Sequence, residues 1–297
     1  MTDLRSAHRS ALNRIELGKP LRTVEKARVF DRVLYASAER PIGRPYAVFA
    51  LRDERDESYS YPHAKLIHIA GMTRRASIEA MKALPPRSIE NSAAWVESFV
   101  AGHRSDGPDA HEQFSYVPLP SIGHEHSDAM IRRVMIAAPF GSDAELRHLA
   151  AQLEGVQLRS EGGGPGPILD SAHFDGIIRQ YSGPSKAWAS VTPVILPGHD
   201  DHKPAKTIRL IERALAQSGI EQGCRFTWGA LPYFSNCLSA HKYDRNGRPT
   251  GCFRPDHLSG LTAVHVQVLF KEPVAGPLAI GAGRHCGLGV LGVIDQV

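Results

Sequence analysis

The chain has fifteen histidines, and a side chain that titrates near neutral pH can take a proton in one step and return it in the next. His124 and His126 stand two residues apart in Ser121-Ile-Gly-His-Glu-His-Ser-Asp128, flanked by Glu125 and Asp128. In an extended segment residues i and i+2 share a side, so both rings could reach one phosphate, one as base and the other as acid. A solvated turn would carry the same residues. A second cluster, His199-Asp-Asp-His202, has the chemistry of metal ligands, yet a contiguous loop seldom gives the convergent geometry that zinc or manganese requires. Asp200 and Asp201 read better as negative charge at the start of the helix that Pro204 opens. His68 lies in a helical pattern and is either a reactive or a half-buried helix residue. Cys237-x-x-x-His241 has a zinc-compatible spacing but no second pair nearby, so no metal or other cofactor is expected.

The tail Gly276-Pro-Leu-Ala-Ile-Gly-Ala-Gly-Arg-His-Cys-Gly-Leu-Gly289 holds five glycines in fourteen residues. Each would weaken a helix or strand by about 0.5–1 kcal/mol relative to Ala, so something else must require close backbone approach. One reading has Gly281, Gly283, Gly287 and Gly289 present backbone N–H groups to a phosphate, with Arg284 and His285 at the tip. The guanidinium would fork onto the phosphate and the ring would stack on a base. The other reading is a tight structural crossover. A dinucleotide fingerprint is excluded by context, since only a few residues follow the loop and no long helix can start there.

Charge is distributed unevenly. The net charge is +4, but residues 1–50 alone carry ten Lys or Arg against five Asp or Glu, which leaves the remainder close to neutral. A polyanion would meet local patches: this arm, Arg74–Arg75, Arg132–Arg133 and Arg284. Any one pair taken singly is ordinary solvated surface. No apolar run is long enough to cross a bilayer and the first residues lack a signal-like apolar stretch, which predicts a cytoplasmic protein with no membrane partner. The four cysteines, Cys224, Cys237, Cys252 and Cys286, form no close pair and are expected to be reduced thiols.

The elements that must position these residues repeat an order. Residues 1–44 read as a basic arm. Pro45–Leu51 reads as a strand, Ala64–Met81 and Ser88–Val100 as helices, and Phe114–Leu119 and Ile131–Ala138 as strands joined by the His124 segment. Ser142, with Glu145 completing a capping box, opens a helix that Gly155 closes; Gly162–Pro167 is a loop and Ile168–Arg179 a strand. That β-α-β-β-α-β order is the ferredoxin-like (RRM-like) unit, which leaves one sheet face free. A second pass runs through Trp188–Leu196, the helix Pro204–Ser218, Arg225–Tyr233, Ala263–Phe270 and a final strand after the glycines. The expected fold is α+β: tandem ferredoxin-like units at 45–183 and 184–297, the second ending in the C-terminal glycine-rich loop.

Three blocks, HEQFSYVPLPSIGHEHSDAMIRR, WASVTPVILPGHDDHK and VHVQVLFKEPVAGPLAIGAGRHCGLGVL, resemble the CRISPR-associated RAMP superfamily. Within it they are similar to the CRISPR-RNA-processing part of the fused backbone-and-processing subunit of type I-U (I-G) effectors. In that family the second acidic block reads His-Ala-Asp-Gly, where this chain has His126-Ser-Asp-Ala129. The family's amino-terminal backbone-subunit region, with its tryptophan- and proline-rich opening, has no counterpart here. The resemblance implies an endoribonuclease that cuts precursor CRISPR RNA within its repeat and stays with the product or with other subunits of a type I effector complex. It favours His124 and His126 as the catalytic pair, followed by His68 in the first helix, where related processing nucleases place a base. With RNA as the polyanion, the contacts that the charge pattern and the glycine loop offer are Arg284, His285, Gly281, Gly283, Gly287, Gly289 and the Arg74, Arg75, Arg132 and Arg133 pairs. Cleavage without metal needs a base for the 2′-OH, an acid for the leaving 5′-oxygen and cations around the phosphate, and yields a 2′,3′-cyclic phosphate. A non-catalytic CRISPR-RNA-binding subunit is the alternative. A two-histidine phosphoesterase is a third, resting on His8-Arg-Ser10 and His103-Arg-Ser105.

Overall fold

A computed structural model of the chain describes residues 2–18, 43–103, 112–172, 175–220, 223–243, 246–248 and 250–294. Within the arm, Thr2–Glu16 forms helix α1, which Asn13 ties to the first unit by donating from Nδ2 to the carbonyl of Glu154 at 2.8 Å. Most of the remaining arm, residues 19–42, lies outside the described residues.

The first sheet is built from β1 (Tyr46–Arg52), β2 (Ser115–Pro120), β3 (Ile131–Ala137), β4 (Gln157–Arg159) and β5 (Pro165–Ser171) in the antiparallel order β2-β3-β1-β5-β4. Setting aside the edge strand β4, this is the ferredoxin order, in which the hairpin β2–β3 and the last strand flank β1 on opposite sides. Helices α2 (Leu66–Ala83) and α4 (Asp143–Leu153) cover one face. Their apolar stripes, Leu66, Ile69 and Met81 on α2 and Leu146, Leu149 and Leu153 on α4, meet Phe49, Leu51, Val134 and Ile136 in the larger core. Between α2 and β2 the chain forms the short helix α3 (Ser92–Trp95), which runs into a π turn, Val96–Val100.

The opposite face, which the ferredoxin pattern alone left free, is covered. Val117, Leu119 and Met135 pack there against Tyr181 of α5 (Gly176–Ser182) and against Val191 and Val290 of the second unit. The hydroxyl of Tyr181 donates to the carbonyl of Pro120 at 2.6 Å. The strand expected over Ile168–Arg179 therefore stops at Ser171, and the rest of that stretch includes a helix whose first turn Asp175 caps by accepting from the Ile178 N–H at 2.9 Å. Two further local readings are corrected. The Gly162–Pro167 run is only half loop, because β5 begins at Pro165, and Gly162, Gly163 and Gly164 form the tip of the β4–β5 hairpin. Ser142 stands at the N-cap of α4 but its side chain makes no cap hydrogen bond, so the capping box is not closed.

The second sheet contains β6 (Pro184–Ser190), β7 (Val194–Ile195), β8 (Cys224–Gly229), β9 (Ala263–Ala275) and β10 (Leu291–Val293). β10 pairs with β6, β6 with β9, and β9 with both β7 and β8, every pairing antiparallel. The order β8-β9-β6-β10 repeats the ferredoxin arrangement, with helix α6 (Pro204–Ala216) in the place of the first crossover helix. Leu210, Ile211, Ala214 and Leu215 of α6 pack on Val264, Val266, Val268 and Phe270. No second helix follows β9 among the described residues, and the glycine-rich segment makes that crossover instead. Among the described residues no helix is long and apolar enough to cross a membrane.

Candidate functional site

The glycine-rich segment runs as consecutive turns through the junction of the two sheets and is bonded to both. The N–H of Tyr116 at the start of the first sheet donates to His285 O at 3.0 Å, while Ala282 and Gly289 donate to Ile195 O and Pro193 O at 2.9 Å each. Its glycines are needed for intramolecular closeness. A Cβ on Gly289, at φ +70°, would lie 1.9 Å from Ile280 O; on Gly281, at φ +90°, 2.5 Å from Ile195 O; on Gly287, at φ +88°, 2.6 Å from Pro118 and 2.9 Å from Leu66. Gly283 has ordinary φ, but its Cβ would meet Leu288 at 2.7 Å. The tip faces inward. Arg284 is buried and donates to Gly281 O at 3.1 Å; His285 Nδ1 lies 2.9 Å from Ser115 Oγ. Arg44 reaches the same hydroxyl at 3.4 Å, and burial, then the neighbouring Arg284 charge, brings its guanidinium down to about 10.

The contact of Leu66 with Gly287 sets the start of α2 against this loop. Two residues on, His68 is exposed, and its Nδ1 lies 3.2 Å from the hydroxyl of Tyr61. Tyr61 is held by its bridge to Ile131 and lies near-parallel to Tyr59, with ring centroids 6.4 Å apart. Burial, then Tyr59, raises its phenol above the ordinary value, so it stays a hydroxyl at neutral pH. Phe253 meets the imidazole edge-on at 5.8 Å. Lys65, three residues before His68 and exposed, projects on the same side of the helix start. When Nδ1–H donates to Tyr61, Nε2 of this exposed residue keeps its lone pair, which is the tautomer a general base needs.

Over residues 1–292 the sequence matches the model of a CRISPR-associated protein family, the GSU0054 family. The chain belongs to that family. No curated protein matches its sequence. Solved structures similar to this CRISPR-associated chain include a CRISPR-associated protein Cas6, at 10% identity and TM-score 0.40, covering 84% of this chain and 99% of its own. A Cas6-related protein from Pyrococcus furiosus, at 9% identity and TM-score 0.41, covers 85% and 99%, and a RAMP protein described as binding different RNA substrates, at 9% and 0.40, covers 84% and 98%.

The other residues singled out in the sequence of this CRISPR-associated protein fall elsewhere. His124 and His126 are exposed in a turn closed by Ser127 N–H to His124 O at 3.0 Å, so the alternation of an extended segment does not apply to them. Asp128 does not orient either ring. Its carboxylate takes Arg132 in a bidentate pair at 2.6 and 2.8 Å, and that bond holds it at about 2. Arg133 pairs with Asp175 at 2.5 Å, Arg74 donates to Ala101 O, and Arg75 donates to Ser160 O at 3.2 Å. These four arginines thus each serve the fold. Asp200 is buried and accepts from Thr262 Oγ1 at 2.7 Å, Thr207 Oγ1 at 3.0 Å and the His202 N–H at 3.3 Å, which locks the start of α6 to the segment before β9. Asp201 pairs with Lys206 at 2.8 Å. Among the described residues no three His, Cys, Asp or Glu side chains converge as a metal site. The Cys237 thiol is pushed up to about 12 by burial. His8 lies in α1, His103 pairs with Glu97 at 3.0 Å, and Ser105 lies outside the described residues. Sequence reasoning missed Tyr61 and Lys65; the signal was two tyrosines and a lysine just ahead of His68 in Tyr59-Ser-Tyr-Pro-His-Ala-Lys-Leu-Ile-His68.

Proposed function

We propose that this protein is a metal-independent endoribonuclease that cuts precursor CRISPR RNA within the repeat, and that its centre is His68 with Tyr61 and Lys65. The observation that carries this is the exposed imidazole held through Nδ1 by a tyrosine hydroxyl, at the helix start that abuts the glycine loop, in a member of a CRISPR-associated family. His124 and His126 stand behind it, because among the described residues no neighbour holds their rings by a hydrogen bond. Nε2 of His68 takes the 2′-OH proton and the 2′-oxygen attacks phosphorus. The P–O5′ bond breaks, and the 5′-oxygen takes a proton from Tyr61, which is replenished through His68. Lys65 balances the phosphate charge as it grows. The products are a 2′,3′-cyclic phosphate and a 5′-hydroxyl. The two ferredoxin-like units meet at residue 183/184, and the RNA partner is the repeat, with other subunits of a type I effector complex as further partners.

The test is incubation of the purified chain with labelled cognate repeat RNA in EDTA. Cleavage is expected to persist, to stop when the cut-site nucleotide is 2′-deoxy, and to slow by roughly 10²–10⁴-fold in His68→Ala at near wild-type RNA affinity. Loss of activity in EDTA overturns the mechanism. Comparable loss in His124→Ala or His126→Ala, with His68→Ala active, moves the site to the turn. Binding without cleavage makes the chain an RNA-binding subunit.

A further inference from the structure

The arginines that the sequence offered for phosphate binding are occupied within the protein, which raises the question of where its unoccupied cations stand together. They stand along α6 and at its N-cap. Lys206, Arg209 and Arg213 recur at intervals of three and four residues and so share one face, and Lys203, the N-cap residue, lines the same groove. They line one shallow groove of about 490 Å³. Lys206 is committed to Asp201, but among the described residues none of Lys203, Arg209 and Arg213 is paired with a carboxylate, and all three are exposed. At about 1.5 Å per residue the three span roughly 15 Å along the helix. The opposite face of α6 is buried on β9, so the ridge is fixed to the second sheet. Its near end adjoins the junction, because β7, just ahead of α6, receives the Ala282 N–H of the glycine loop.

We propose that this ridge binds the phosphate backbone of double-stranded RNA, as in a stem beside the cut site; this rests on the RNA-processing reading above. A polyanion is indicated because three of the four cations in the groove have no carboxylate partner among the described residues, while Asp201, which also lines it, is taken by Lys206. A duplex is favoured over a single strand because α6 carries no aromatic side chain, and single strands are held by stacking their bases on aromatic rings. Duplex RNA hides its bases and offers phosphates and 2′-hydroxyls, which a rigid row of Lys and Arg can follow by charge alone. The ridge therefore contributes affinity and orientation without reading sequence.

The test compares the full chain with a Lys203→Gln/Arg209→Gln/Arg213→Gln variant on two probes, an RNA hairpin with a stem of one helical turn and an unstructured RNA strand of equal length. Filter binding over a salt series is expected to give a log-affinity slope on the hairpin shallower by about 2–3, at about 0.7–0.9 per lost phosphate contact. That corresponds to a loss of roughly 50- to 150-fold at 0.15 M salt, with much less change on the unstructured strand. Melting curves confirm that the variant is folded, and Arg209→Lys/Arg213→Lys should retain the wild-type slope. A folded triple variant that binds the hairpin as wild type does overturns the inference. Equal losses on both probes overturn the choice of duplex. If the wild-type chain binds neither probe, the RNA-processing reading itself fails.

Discussion

His63, in the 3-10 turn that leads into α2, is 5% exposed, and neither of its ring nitrogens has a hydrogen-bond partner. Burial, reinforced by the imidazole of His265 on β9, lowers it from 6.5 to about 4. The unfolded chain therefore binds this proton near pH 6.5, whereas the folded chain resists it until about pH 4. Stability is at its full value above pH 6.5 and falls as the pH drops through that window, because there the unfolded state holds more protons. Integrating the linkage gives a loss of about 2 kcal/mol at pH 5 and about 3 kcal/mol at the bottom of the window. His265 is shifted the same way by burial, against the opposing bonds to Leu238 O and Ser190 O, and adds to the trend. The variant that isolates the effect is His63→Leu, which is of similar volume and removes no hydrogen bond. Urea unfolding at pH 7.5 and pH 5 should show the wild type losing about 2 kcal/mol more than the variant, with the variant at least as stable at pH 7.5. Since His63 stands at the start of α2 in the first unit and His265 on β9 in the second, acid should loosen the junction that carries the glycine loop. Parallel losses in the two proteins would mean that His63 is hydrated in the fold and that the reasoning fails.

Gly289→Ala and Gly287→Ala should each cost more than about 2 kcal/mol, because positive φ is combined with a collision, whereas Gly141→Ala, at φ +82° in open space, should cost about 1 kcal/mol; thermal melts rank the three. Asp200→Asn should lose about 1–3 kcal/mol, since one carboxylate serves two hydroxyl donors, while Asp201→Asn, whose exposed partner is Lys206, should fall within about 1 kcal/mol of wild type in the same melts.

The elements that the sequence made legible are those whose burial follows one period. α6 shows Leu210, Ile211, Ala214 and Leu215 on a single face, with Pro204 at its first position, and β1 alternates about Phe49 and Leu51. What period could not show was where tertiary contacts take over. α5 carries only Ile178 and Tyr181 as buried anchors, too few to reveal a period in seven residues, and its surest signal was the local one, an Asp at 175 able to accept from the N–H three residues later. The missing second helix of the second unit is a matter of backbone conformation. Between β9 and β10, Gly281, Gly287 and Gly289 take positive φ, which a right-handed helix does not admit, and the closeness of Gly289 to Ile280 O shows how tightly the crossover is folded.

For the site, residue types were visible and their commitments were not. A carboxylate two or four residues from a histidine looks like an orienting group until an arginine is found to hold both of its oxygens, as Arg132 holds Asp128. Tyr61 and His68 lie seven residues apart, beyond the i+3 and i+4 neighbours that a helix pattern brings together, and they meet only because a bridge to Ile131 and a 3-10 turn reverse the chain between them. The same argument governs the cations. Counting Lys and Arg located the excess in the arm and in adjacent pairs, yet an arginine whose fork closes on a backbone carbonyl or an aspartate has already spent its directional bonds, and a phosphate could gain from it only its residual field. A ligand that depends on charge should therefore be sought where cations align and the fold makes no use of them, which on the described surface points to the outer face of α6 and to Lys65 beside His68.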